Sequence, residues 1–193
     1  LLDQQETLKG FGKADLQYFR GSLAVSQSHL AMLIGDTQQA AEFSQQAVRY
    51  LPEENVYLRS LLALDESLSF FLSGDTQKAV ESLRATARIA RQANNPLATI
   101  IALCQLADTQ FLQGKISQAK ATLLKAQYLT IGPEGQPLPL AGLVDIGLGE
   151  ILLEHDLLEE ARDHLERGYQ VTGSTWYLGC LDGKLSMARL RQA

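Results

Sequence analysis

The sequence predicts an all-α protein built as an α–α superhelix, and three observations predict it. Helical runs end on a glycine or an aspartate at Gly35, Gly74, Gly114 and Asp156, which are spaced about 40 residues apart. Each of these turns has a small residue seven positions before it and an alanine five positions after it. The composition favours helix, because Ala, Leu and Gln dominate and only five Pro occur. One helical hairpin per period is typical of an α-solenoid, in which successive hairpins stack.

The turn at Gly74 and Asp75 shows why the repeat forms a helix pair. Glycine enters the left-handed backbone region without a Cβ clash, which ends the first helix. Aspartate in the next place can cap the second helix by accepting a backbone N–H. The small residues on either side allow the two antiparallel helices to approach where they cross. They are Ser28, Ser67, Ala107 and Gly149 before the turns, and Ala40, Ala79, Ala119 and Ala161 after them.

A column of leucines is expected to join neighbouring hairpins. Leu83, Leu123 and Leu165 stand nine positions after their turns and would fill the space between one hairpin and the next. Ser44 interrupts this column, and Phe43 beside it is the candidate replacement. Because one hairpin cannot bury its apolar face alone, stacking is required.

The chain taken in order gives four complete hairpins. A loop at residues 132–139, with three prolines and two glycines, separates the third hairpin from the fourth, either as a spacer or as a functional segment. The ends of the chain correspond to halves of further hairpins. We therefore expect residues 1–193 to form one superhelical domain of about four hairpins with partial repeats at both ends, a fragment of a longer protein. The predicted helices are 15–34, 37–51, 55–73, 76–93, 97–113, 116–130, 140–155 and 157–171, with a last helix from 175 onward.

Composition excludes several classes of function. The formal net charge is -5 and no run of Lys and Arg occurs, so we expect no direct contact with nucleic acid. No apolar run has the length of a membrane span and no signal-peptide pattern begins the chain, which predicts a cytoplasmic protein without membrane contact. Cys104 and Cys180 lie far apart in the sequence and are interpreted as small buried apolar residues.

No catalytic or metal-binding motif survives inspection. A phosphate-binding GxxxxGK[ST] loop is absent from the sequence. Gly147 and Gly149 resemble the start of GxGxxG, but Leu152 takes the place of the third glycine. His155 and His164 lie on either side of a turn, which disfavours zinc ligation. We therefore predict that the chain is not an enzyme and has no catalytic residue, no metal site and no cofactor.

Polar residues recur on the first helix of each hairpin. First helices line the concave surface of such solenoids, where ligands usually bind. The carboxylates among these residues would favour a ligand with hydroxyl or cationic groups, although ordinary solvated helix faces would show the same pattern. The residues expected to bind a ligand or partner on this concave face are His29, Asp65, Glu66, Gln105, Asp108 and Glu150.

The predicted last helix carries an apolar stripe. Leu178, Leu181, Leu185 and Ala188 recur at spacings of three, four and three, which is the pattern of one helix face. Because the second helix of this hairpin would begin beyond residue 193, we expect another chain to cover the stripe. Self-association through this end helix is one way to cover it.

The repeat frame resembles the tetratricopeptide repeat, with a small residue, then Gly, then A-x3-[FL], and Pro52 in the place of the closing proline. Residues 137–171, PLPLAGLVDIGLGEILLEHDLLEEARDHLERGYQV, are similar to the repeat region of the large ATP-dependent LuxR-type transcriptional regulators, the MalT-like class. Residues 58–91 fit the same region.

This resemblance implies a tetratricopeptide-like superhelix with a sensing role. In that family, a nucleotide-binding module precedes the repeats and a helix-turn-helix module follows them. The repeats receive a small-molecule inducer or a regulatory protein and pass that state to ATP-driven oligomerisation. We thus expect a non-catalytic domain of a LuxR-type transcriptional activator that senses a ligand or binds a protein. The alternative is a generic tetratricopeptide scaffold that docks a peptide or protein in its concave groove.

Overall fold

The computed structural model describes residues 12–132, 134–138, 140–172 and 186–190. Within these ranges the regular structure is helical, apart from one isolated β-bridge between Ile131 and Pro137. The helices lie within about two residues of their predicted bounds. They are α1 Lys13–Leu33, α2 Thr37–Tyr50, α3 Val56–Leu72, α4 Thr76–Gln92, α5 Pro96–Leu112, α6 Ile116–Leu129, α7 Ala141–Glu154 and α8 Leu158–Thr172, and residues 186–190 form one further helical segment.

The helices stack as hairpins in two layers. Each first helix packs on its own second helix, as α1 on α2, α3 on α4, α5 on α6 and α7 on α8. First helices also contact the next first helix along the chain, whereas the second helices α2, α4, α6 and α8 make no contact with one another. Helices of an inner layer lie closer together than those of an outer layer. The predicted superhelix is therefore confirmed, with the first helices inside.

All four predicted turns have the left-handed residue in the predicted place. Gly35, Gly74 and Gly114 have φ values of 82°, 78° and 72°, and Asp156 has φ of 57°. Asp75, which follows Gly74, accepts a hydrogen bond from the backbone N–H of Lys78 and caps α4. At the fourth turn, Asp156 takes the place that glycine has at the other three turns.

The small residues lie at the helix crossings, as predicted. The Ser28 hydroxyl donates a hydrogen bond to the carbonyl oxygen of Ala40 across 3.0 Å, which joins the two small positions of the first hairpin. A Cβ atom added to Gly149 would lie 2.7 Å from Cγ of Leu165. A bulky side chain at these positions would separate the helices.

The leucine column forms the core between hairpins. Leu83, Leu123 and Leu165 are buried, whereas Ser44 at the equivalent place is only half-buried. Phe43 packs against a cluster of Ala31, Met32 and Ala40, which Leu68 of α3 also joins, and its role as a replacement for the leucine stays a prediction. Cys104 is also buried, as predicted, and burial raises the pKa of its thiol. None of the helices in the described ranges is long and apolar enough to span a bilayer.

The loop before α7 is tied down by backbone hydrogen bonds. The N–H of Leu138 donates to the carbonyl oxygen of Thr130, and the N–H of Gly132 donates to that of Gln136, both across 2.7 Å. Gly135 has φ of 81° and makes the turn between these segments. The loop therefore closes on itself, and whether it has a function stays open.

Several predictions for the ends of the chain lie outside the described residues. These are the partial repeat at residues 1–8, the position of Cys180, and Leu178, Leu181 and Leu185 of the apolar stripe. Of that stripe the structure describes Ala188, which is exposed. Leu190 packs against the hairpin of α7 and α8. Covering of the stripe by another chain stays a prediction.

Candidate functional site

A histidine–carboxylate pair links the first two hairpins. Nδ1 of His29, on α1, lies 2.7 Å from Oδ1 of Asp65, on α3. The side chain of His29 is 47% exposed and that of Asp65 only 6%. The hydrogen bond to the Asp65 carboxylate raises the pKa of His29 because it stabilises the protonated ring, and partial burial opposes this effect. The structure thus brings two of the predicted residues together, although they are far apart in sequence.

The second carboxylate oxygen of Asp65 lacks a hydrogen-bond partner. Oδ2 is buried and no donor among the described residues reaches it. A buried polar oxygen without a partner is costly, since it has lost its hydration and gained nothing in exchange. A ligand that donates an N–H or O–H to Oδ2 would recover that free energy. Asp65, which was predicted on the concave face, is thus nearly buried where the first two hairpins meet.

A polar cavity lies beside Asp65. It occupies about 310 Å³ between α1, α2 and α3. Hydroxyl, amide and carboxylate groups line much of it, together with the apolar side chains of Met32 and Leu62. The polar lining includes Ser28, Ser44, Gln45, Asp65, Glu66 and Ser69.

The repeat geometry explains why the cavity is there. We call the contact between one hairpin and the next a joint. At the third joint, a Cβ atom on Gly147 would lie 3.0 Å from a methyl group of Leu123. The leucine of the column, nine positions after its own turn, therefore faces the residue nine positions before the next turn. At the first joint, Ser44 stands in the place of the leucine and Asp65 in the place of the glycine, and both line the cavity. A short polar side chain therefore stands where the other joints have a leucine, and space remains.

The other predicted site residues lie on other hairpins. Gln105 and Asp108 belong to α5, where Oε1 of Gln105 is buried without a hydrogen-bond partner and Asp108 is exposed. Glu150, on α7, accepts a hydrogen bond from the hydroxyl of Ser186 across 2.5 Å. None of these three residues lines the cavity. Glu66, by contrast, is exposed and does line it.

A larger groove, which the sequence analysis missed, lies between α4 and α6 on the outer layer. Two adjoining hollows of about 910 and 430 Å³ form it, and both are lined by Ala87, Leu103 and Lys125. The basic residues that line the groove do not form a run in the sequence, because apolar residues stand between them. The available signal was the spacing of Arg84, Arg88 and Arg91, which places three guanidinium groups on one face of α4. The full set of basic residues lining the groove is Arg84, Arg88, Arg91 and Lys125.

A second histidine–carboxylate pair lies in the fourth hairpin. Nδ1 of His164 is 2.8 Å from Oδ1 of Asp145, and Nη2 of Arg167 is 3.1 Å from the same oxygen. These contacts join α7 to α8, and both go to the same carboxylate oxygen. In the part of the chain that the structure describes, no three or more His, Cys, Asp or Glu side chains are arranged to hold a metal ion.

Comparison with known families agrees with the architecture. The family model described as the MalT-like TPR region matches residues 21–193. A search among curated proteins gave no match. The matched range includes every turn of the repeat frame and all eight main helices except the beginning of α1. The chain therefore belongs to the family of MalT-like TPR regions.

Proposed function

We propose that this domain senses a small polar ligand in the cavity between α1, α2 and α3, as the non-catalytic sensing domain of a cytoplasmic LuxR-type transcriptional activator. The observation that carries the proposal is Asp65, which lines a polar cavity and whose buried Oδ2 has no hydrogen-bond partner among the described residues. Membership of the MalT-like TPR family supports the regulatory context. The ligand is the inducer, and no cofactor takes part within this chain.

The cavity selects by size and by chemistry. Its volume of about 310 Å³ is at the lower end of the range for small-molecule sites. The Asp65 carboxylate can accept a hydrogen bond from a ligand, and the nearby carboxylate of Glu66 adds negative charge. A small molecule with hydroxyl or cationic groups therefore fits better than an anion.

A ligand in this place would act on the joint between two hairpins. Ser44 and Gln45 approach the cavity from α2, while Asp65 and Ser69 approach it from α3. A molecule that binds both sides favours one relative position of the hairpins over others. That preference is the signal that the rest of such a regulator would convert into oligomerisation.

Thermal unfolding against a panel of small metabolites tests the proposal. A ligand raises the melting temperature of the wild-type chain by mass action. Ser44→Leu fills the cavity with the side chain that the other joints carry, and Asp65→Asn removes the charge with little change of shape. We expect both variants to lose the ligand-induced shift. Circular dichroism before ligand addition shows whether each variant is folded.

Asp108→Asn is the matched control, because Asp108 is a predicted site residue on another hairpin and does not line the cavity. It should keep the full ligand-induced shift. A shift that survives in Ser44→Leu and disappears in Asp108→Asn would move the site to the face of α5. A panel that contains polyols and small amines and shifts nothing would refute a small-molecule sensor of this chemistry.

The second candidate function is a tetratricopeptide scaffold that docks a regulatory protein or peptide. The observation that favours it is the basic groove between α4 and α6, where two adjoining hollows of about 910 and 430 Å³ extend beyond the usual volume of one small-molecule site. A scaffold would respond to a macromolecular partner and to no member of the metabolite panel. The two functions use different parts of the domain, so one protein can carry both.

A further inference from the structure

The groove between α4 and α6 has an apolar floor. The exposed second helices do not contact each other, and α5 lies between them and forms the base of the groove. Leu124 is 47% exposed and Tyr128 is 83% exposed, so large apolar groups on α6 face solvent. Exposed apolar side chains that share one groove are typical of an interaction surface. The aliphatic side chains that line the two hollows are Ala87, Leu103, Leu106, Ala121, Leu124 and Leu129.

Positive charge borders this floor on both sides. Arg84, Arg88 and Arg91 follow one face of α4, and Lys125 projects from α6. Among the residues that the structure describes, none of these four cations has an ion-pair or hydrogen-bond partner. Because no described residue neutralises their charges, these side chains can attract an anionic partner.

The positive charge is specific to this part of the domain. The whole chain has a formal net charge of -5. On α6 the charged residues are Lys120 and Lys125, with no acidic residue, and on α4 only Glu81 opposes four cations. By contrast, α8 carries Glu159, Glu160, Asp163 and Glu166 against only Arg162 and Arg167. The outer surface thus changes sign along the superhelix, and the groove lies in its positive part.

The shape of the groove fits a helix. The helices α4 and α6 run in the same direction, since each is separated from the other by one antiparallel helix. The stripe from Arg84 to Arg91 covers two turns of α4, which is about 10 Å. An amphipathic helix laid between α4 and α6 would place its apolar face on the floor and its flanks against the cations, which is a common mode of peptide recognition.

We propose that the groove between α4 and α6 binds an acidic amphipathic helix of a partner protein. The apolar residues of that helix cover Leu124 and Tyr128, and its carboxylates pair with Arg88, Arg91 and Lys125. This site is distinct from the ligand cavity, which lies between α1, α2 and α3. The proposal stands or falls independently of the small-molecule sensor.

Fluorescence anisotropy of the 193-residue chain with a synthetic peptide tests it. The probe is a labelled peptide of about 18 residues with leucines on one helix face and glutamates on both flanks, and its counterpart has lysine for every glutamate. We expect the acidic probe to bind and the basic one not to. Arg88→Glu should raise the Kd for the acidic probe by about tenfold or more, because like charges that face each other in an interface are strongly unfavourable.

Lys120→Glu is the matched control, since it makes the same change of charge on α6 at an exposed residue that does not line the groove. This substitution should raise the Kd for the acidic probe by less than about twofold. Leu124→Ala, at an exposed position, should weaken it by about tenfold because the apolar anchor is lost. An effect of Lys120→Glu as large as that of Arg88→Glu would show general charge attraction and overturn the proposal.

Other occupants of the groove would give different results, and each would overturn the proposal. A wild-type chain that sediments as a dimer and becomes monomeric in Arg88→Glu would indicate a second copy. Displacement of the peptide by laurate at the concentration of the peptide itself would indicate a small amphiphilic anion. No binding of the acidic probe by the wild-type chain would exclude an acidic helix.

Discussion

Gly142 and Gly168 lie against each other where α7 crosses α8. A Cβ atom added to Gly142 would lie 2.6 Å from the carbonyl oxygen of Gly168, and one added to Gly168 would lie 2.8 Å from the carbonyl oxygen of Gly142. Both distances are too short for real atoms, and the obstacle is backbone, which cannot turn aside. The two helices therefore cross with their backbones too close for a side chain at either glycine.

Gly168→Ala is predicted to destabilise the fourth hairpin. Replacing a glycine in a helix by alanine normally stabilises by about 0.5–1 kcal/mol. Here the new methyl group forces α7 and α8 apart, and overpacking costs about 1–3 kcal/mol, so a net loss is expected in chemical denaturation. Gly147→Ala is the control, because its Cβ meets the flexible methyl groups of Leu123 at 3.0 Å. Equal effects of the two substitutions would contradict the close backbone contact.

Leu123→Ala tests the leucine column. Leu123 is 2% exposed and faces Gly147 across the third joint. Removal of such a side chain costs about 2–5 kcal/mol, since it loses buried contacts and leaves a cavity. The adjacent Leu124 is 47% exposed, and we expect Leu124→Ala to change the free energy of unfolding by less than about 1 kcal/mol. Similar losses from both variants would mean that the column does not hold the hairpins together.

Substitutions at two of the turns are expected to change the free energy of unfolding in opposite directions. Asp156 has a left-handed backbone, which costs about 1 kcal/mol for a residue with a Cβ atom, so Asp156→Gly should stabilise by a similar or smaller amount. Gly74 has the same conformation, and an added Cβ there would meet nothing within 4 Å. Gly74→Ala should therefore destabilise by about 1 kcal/mol through backbone strain alone. Thermal unfolding measures both, and two changes of the same sign would contradict this account.

His29→Ala should destabilise more at low pH than at high pH. The pKa of His29 is raised in the folded chain by its hydrogen bond to Asp65, relative to the ordinary value of 6.5. The stability that this shift provides is fully present below pH 6.5 and is lost as the pH rises through the higher folded value. The difference between wild type and variant, measured by urea denaturation, should thus be larger at about pH 5.5 than at about pH 8.5.

His155→Ala is the control for this experiment, because His155 is exposed and makes no side-chain hydrogen bond within the described residues. Its substitution should change the free energy of unfolding by less than about 0.5 kcal/mol, because no side-chain hydrogen bond is lost. At high pH some loss should remain in His29→Ala, since Oδ1 of Asp65 then also lacks its donor. A difference that is constant from low to high pH would rule out a charged pair.

The fold could be predicted because the repeat imposes the same local requirements at each turn. Gly35, Gly74 and Gly114 mark the left-handed position, and small residues at fixed distances mark the crossings. Such requirements are local in sequence and recur, so they stand out from the background. The layer arrangement followed from the hairpin pattern, and the contacts of the first helices bear it out.

The candidate site could be predicted only in part, because it depends on contacts between hairpins. His29 and Asp65 were each expected in a binding surface, but their pairing joins residues 36 positions apart. Ser44 was noticed only as a break in the leucine column, and the cavity that results needs the neighbouring first helix to be placed. The basic groove likewise joins cations on α4 to Lys125 on α6, and no linear run of sequence displays that combination.

The gap at Ser44 has a mechanical consequence for the whole superhelix. A solenoid has contacts only between neighbours, so its stiffness at each point is that of one joint. The joint between α2 and α3 lacks the wedge that Leu83 and Leu123 provide further along, and α2 touches α3 only lightly. We therefore expect the outer layer to yield most easily there, so that a small rotation at this joint would displace the far end of the domain furthest. A ligand that fills the cavity beside Ser44 would therefore fix the angle between the first hairpin and the other three.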